Sequence, residues 1–161
     1  MARLQDFLLD PESMGAYDII FFNCGMDGTW SRGASYDEVA ANIKEYVQSG
    51  GSVYTSDWAY YFVELPFPTK LTFYGTDSVI GAAKVGVAET VTANVVDPTM
   101  QAILGSEVAD IHYDLAGWVM TVDAEEDAEV LVRGSPVNLW DPQPLQDVPL
   151  AVRFESGAGR V

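Results

Sequence analysis

Residues 17–55 constrain the fold more than any other stretch. "DIIFFN" at 18–23 is a continuous apolar run, the pattern of a strand covered on both faces. After a glycine-rich loop comes "SYDEVAANIKEYVQSGG", where Ser35 and Glu38 form a capping box and Gly50-Gly51 a stop signal. Val39, Ile43, Tyr46 and Val47 fall on one helical stripe. "SVYTS" at 52–56 is β-branched and aromatic, hence a second strand, and "DWAYYFVE" is a further short helix stopped by "LPFP". Strand, helix and strand with short connections predict a right-handed βαβ unit and a parallel sheet.

The flanking regions read differently. Residues 3–9, "RLQDFLL", suggest a short helix ended near Asp10-Pro11. After residue 85 the chain alternates: "VGVAETVTANVV", "DIHYD", "WVMTV", "AEVLVRG" and "PLAVRFE" are strands with turn signals between them, predicting mixed or antiparallel pairing. "DAEEDAE" at 123–129 reads as a solvated turn. A chain of 161 residues suits one domain with a real core.

Charge excludes several classes of function. The 24 acidic residues outweigh the eight Lys and Arg, for a net charge of −16. Nucleic acid and anionic lipid need cationic partners, so neither is an expected ligand. No apolar run approaches the roughly 20 residues of a membrane span, so membrane insertion is not expected either. "MARLQDFLLDPE" lacks the apolar core and cleavage site of a signal peptide, and the compartment stays open. Calcium would need a D-x-[DN]-x-[DN]-G loop, which is absent, and no cofactor is implied. Cys24 is the only cysteine, so no internal disulfide forms.

The pattern "YDIIFFNCG … NIKEYVQSGGSVYTSDWAYYFVE … VPLAVRFESGAGRV" resembles the class I glutamine-amidotransferase-like superfamily, nearest its trehalose-utilisation (ThuA-like) branch and non-catalytic relatives. The residues carrying the resemblance are Tyr17-Asp18, Tyr46-Val47, Gly50-Gly51 and Gly157 to Val161. It implies a flavodoxin-like three-layer α/β sandwich with a mostly parallel sheet, to which the C-terminal half adds antiparallel strands. Catalytic members place a cysteine on a tight turn after the strand matching 52–56, with small residues two positions either side. Here Tyr54 and Trp58 occupy those positions around Ser56, and the superfamily's C-terminal His-x-Glu dyad is missing. Amidotransferase activity is therefore not inherited.

In an open parallel sheet, ligands bind beyond the carboxyl ends of the strands. That rule gathers Asn23, Cys24, Asp27, Trp30 and Arg32 in one loop beside Ser56, Asp57 and Trp58 in the next. The loop 24–33 with 56–58 is expected to line the main concave site, for a small-molecule or carbohydrate ligand. Cys24 or Ser56 could be a nucleophile only with a base, and the single histidine is His112. The plainer readings are a small, semi-buried strand-end residue for Cys24 and an N-cap for Ser56 or Asp57. Asp110, His112 and Asp114 share one strand face, which suits either a metal or a polar solvent-facing side; the solvent-facing side, with no tight metal, is preferred. Trp30, Trp58, Tyr60, Tyr61, Trp118 and Trp140 could include sugar-stacking rings, although most aromatics in such a domain pack the core.

These readings favour a non-catalytic binding or structural module. The alternative is a hydrolase-like enzyme using Cys24 or Ser56 with His112. Because a strand as apolar as Ile19 to Phe22 calls for neighbours on both edges, the chain is also expected to be a fragment or module of a longer protein, or to self-associate.

Overall fold

A computed structural model describes residues 4–24, 36–75, 82–141 and 143–161. In chain order, the first elements are α1 (Leu4–Leu8), α2 (Pro11–Gly15), β1 (Ile19–Phe22), α3 (Tyr36–Gln48) and β2 (Ser52–Thr55). A 3-10 turn (Asp57–Tyr60) leads into α4 (Tyr61–Glu64) and β3 (Leu71–Phe73). Then come β4 (Glu89–Val95), α5 (Pro98–Leu104), β5 (Val108–Tyr113), β6 (Thr121–Ala124) and β7 (Glu129–Gly134). The last strands are β8 (Val148–Arg153), β9 (Glu155–Ser156) and β10 (Gly159–Arg160). The chain divides into two compact units, one of residues 1–69 with 154–161, the other of residues 70–153.

The first unit holds a four-stranded sheet in the order β1-β2-β10-β9. β1 and β2 run parallel, joined by α3, with Ile20 opposite Val53 and Phe22 opposite Thr55. β10 is parallel to β2, and β9 antiparallel to β10. Val39, Ile43, Tyr46 and Val47, the stripe read from the sequence, are all buried on α3. Phe22 stacks on Phe62 at 4.1 Å between ring centroids. The helix ends where Gly50 takes a positive φ of 113°. Gly51 follows because a Cβ there would collide with the Tyr46 ring. The C-terminal segment returns to this point: the Ala158 N–H bonds the Gln48 carbonyl at 3.0 Å. α1 stops at Leu8, just before Asp10-Pro11 as the sequence reads, and Asp10 then starts a second helix. It caps α2, accepting from the Ser13 N–H at 3.3 Å and the Ser13 hydroxyl at 2.5 Å, with Pro11 opening the new helix. Those bonds hold its carboxyl below the ordinary aspartate value.

The second unit is antiparallel throughout its named sheets. Four strands run in the order β5-β4-β7-β8, and β3 pairs separately with β6. β4 alternates cleanly: Val91, Ala93 and Val95 are buried while Thr90, Thr92 and Asn94 are exposed. Val91, Ala93 and Val132 form the core here, with Ile111, Leu131 and Leu150 packed against them. α5 bridges β4 and β5, with the Asp97 carboxylate accepting from the Met100 N–H and Gly105 closing the helix at φ 68°. Around "DAEEDAE", Asp127 pairs with Lys70 and Glu129 with Arg153.

This architecture overturns the flavodoxin-like three-layer sandwich. The chain is mixed α/β, with short helices apart from α3 and mostly antiparallel sheets. A parallel sheet needs a crossover of a dozen or more residues for each added strand. Beyond α4, the one described helix is the seven-residue α5, and it joins antiparallel neighbours. β1 also departs from its reading as a strand covered on both faces. Ile20 and Phe22 are buried, but Ile19 and Phe21 are 45% and 59% exposed.

Candidate functional site

The parallel register of β1 and β2 brings the two strand ends together. Among the described residues, the Cys24 N–H donates to the Ser56 hydroxyl oxygen at 3.2 Å, and the Cys24 thiol lies 2.8 Å from Asp57 Oδ2. Asp57 adopts a positive φ of 50°, uncommon for a residue with a side chain. Ser56 holds the N-cap position of the 3-10 turn, yet its side chain makes no capping bond; it serves Cys24 instead. Cys24 is exposed rather than semi-buried. Asn23 is exposed, and Trp58 is half-buried with its ring 6.4 Å from that of Tyr60. Asp27, Trp30 and Arg32, like Ser35 of the capping box, lie outside the described residues. The structure thus joins Cys24, Ser56 and Asp57 by hydrogen bonds; the thiol–carboxylate contact has no signature in the sequence.

His112 belongs to the second unit. Its Nδ1 is 2.9 Å from Thr90 Oγ1, and Asp110 accepts from the Thr92 hydroxyl at 2.7 Å. Asp110 and His112 are exposed along β5, while Ile111 and Tyr113 face inward, as the alternation predicts. No group of three or more His, Cys, Asp or Glu among the described residues could hold a metal ion. The aromatic candidates for sugar stacking divide. Tyr60, Tyr61 and Trp118 are buried, Trp118 stacks on Tyr113 at 3.7 Å, and Trp140 is 63% exposed.

A cavity of about 370 Å³ opens at the other end of β1 and β2 from Cys24. Tyr17, Asp18, Asn42, Glu45 and Tyr46 contribute to its lining. The Tyr46 hydroxyl lies 2.9 Å from the Tyr17 carbonyl and 3.3 Å from that of Ser52. Burial first, and then the Asp18 charge, hold this hydroxyl above the ordinary tyrosine pKa. Burial likewise pushes up Tyr61, helped by its hydrogen bond with Tyr60 and by the charge of Glu64, itself buried in α4. Sequence reasoning looked only to the strand carboxyl ends and missed this cavity. No motif in the sequence marks its lining residues.

No family model matches the chain, and no curated protein matches it. No described helix is long and apolar enough to cross a membrane.

Proposed function

We propose that the chain is a non-catalytic binding module. The observation that carries this reading is the partner of the Cys24 thiol, the carboxylate of Asp57 at 2.8 Å. A cysteine nucleophile works as the thiolate, and reactive ones sit beside cations or an imidazole. An anionic carboxylate opposes the charge that must form on sulfur. Ser56 is engaged with the Cys24 backbone, and the His112 ring with Thr90.

Alkylation of the native protein with iodoacetamide tests this. Cys24 is expected to react no faster than an unactivated exposed thiol. Removing the opposing charge in Asp57→Asn should speed the reaction at least roughly fivefold, the effect of one unit charge at about 4 Å in fully water-screened surroundings. A thiol reacting about a hundredfold faster than free cysteine, and slowed in His112→Ala, would instead establish the hydrolase-like reading.

A further inference from the structure

β1 ends the sheet β1-β2-β10-β9 among the described residues, and its hydrogen-bonding directions follow from two contacts. The Ser52 N–H bonds the Asp18 carbonyl at 3.0 Å, and the Ser56 N–H bonds the Phe22 carbonyl at 3.1 Å. In a parallel ladder each residue turns both its main-chain groups to one side, and successive residues alternate. Asp18, Ile20 and Phe22 therefore address β2, while Ile19 and Phe21 direct N–H and C=O to the free edge. Those two residues are also the exposed ones. By register they share a face with Ser52 and Tyr54, and the Phe21 and Tyr54 rings lie 5.5 Å apart. The edge thus offers two main-chain donor–acceptor pairs and, beside them, an apolar surface of Ile19, Phe21 and Tyr54. It carries none of the devices that normally blunt an edge, such as a lysine, a proline or a bulge.

We propose that β1 is a docking edge that accepts an extended, basic-flanked segment of another polypeptide as an added strand. The main-chain groups of Ile19 and Phe21 would supply the ladder, and alternate apolar residues of the segment would cover their side chains. Charge selects the occupant. Asp18 precedes the strand, and Asp57 lies against Cys24 just beyond its other end, so carboxylates stand at both ends of the edge. Lysine or arginine on either side of the incoming segment complements them. A second copy of this chain would bring another net charge of −16 to the same edge. The proposal rests on the binding-module reading and names the class of partner.

The test uses the full chain and a fluorescent nine-residue peptide, Lys-Lys-Val-Thr-Val-Thr-Val-Lys-Lys. Saturable binding is expected, weakening as salt screens the charges. Glutamates in place of the lysines, or Phe21→Ser in the protein, should each weaken it about tenfold. N-methylation of alternate peptide amides keeps the side chains but removes the ladder, and should abolish binding. Phe21 is exposed, so circular dichroism should show its variant folded. Equal binding of the N-methylated or glutamate-ended peptide would overturn the proposal, as would a Phe21→Ser protein that binds unchanged. A stable dimer in light scattering that excludes the peptide would assign the edge to a second copy and overturn it too. No binding, with Cys24 reacting as an ordinary thiol, refutes the docking edge alone; an activated thiol refutes the reading beneath it.

Discussion

Two strands that each end a four-stranded sheet, β1 in the first unit and β5 in the second, present different chemistry to solvent. On β5 the exposed positions are Val108, Asp110 and His112; the two polar ones are each bonded to a threonine of β4, and the apolar Ile111 and Tyr113 turn inward. From Asp110 to Tyr113 chemistry and burial alternate together, and Val108 is a single exposed apolar residue at the strand's start. On β1 burial alternates, but chemistry does not: Ile19 and Phe21 are as apolar as the buried Ile20 and Phe22. Exposed apolar residues scattered singly mean little, but a contiguous group on an open edge points to an interaction. A mismatch between residue type and exposure therefore separates a strand finished as it stands from one with a surface to fill.

Four substitutions sharpen that contrast, each read by urea unfolding. Phe22→Ala removes a buried ring stacked on Phe62 and should cost about 3–5 kcal/mol. Gly51→Ala drives a methyl into the Tyr46 ring and should cost about 1–3 kcal/mol. Asp97→Ala removes the cap of α5 in the antiparallel unit, at about 1 kcal/mol. Phe21→Thr, one residue from the most damaging change, should stay within about 0.5 kcal/mol of wild type. If Phe21→Thr costs as much as Phe22→Ala, the outer face of β1 is already covered and the contrast fails.

A smaller effect follows from pH. The Tyr46 hydroxyl is held above its ordinary value, so its protonated form is favoured in the folded chain. The stability this contributes is fully present below about pH 10, the unfolded value, and is lost as pH rises through the folded one. Urea midpoints should fall on passing above about pH 10, with a shallower fall in Tyr46→Phe. Tyr61 acts in the same direction, so the variant should retain part of the loss.

Local features were legible where local physics decides them. The α3 stripe, the Gly50-Gly51 stop and the alternation of β4 and β5 all appear in the structure as read. Pairing partners were not legible, because they depend on residues far apart in sequence. Gly159 and Arg160 add a strand to β2 from the other end of the chain, and one parallel pair was extended into a whole parallel sheet that is not there. "IIFF" was read as covered on both faces because composition reports what a face is made of, not whether anything lies on it. The same limit applies to the site. Cys24 and Ser56 could be placed at neighbouring strand ends by topology, but the bond from the thiol to Asp57 goes with a positive φ at Asp57 that no residue pattern announces.

Amide hydrogen exchange along β1, resolved residue by residue by NMR in the free protein, examines the open edge most directly. The Ile20 and Phe22 amides, which address β2, should exchange slowly. The Ile19 and Phe21 amides should exchange fast and become protected when the lysine-flanked peptide is added. Slow exchange at all four amides in the free monomer would mean that β1 already has a partner on its outer side, and would contradict the docking edge.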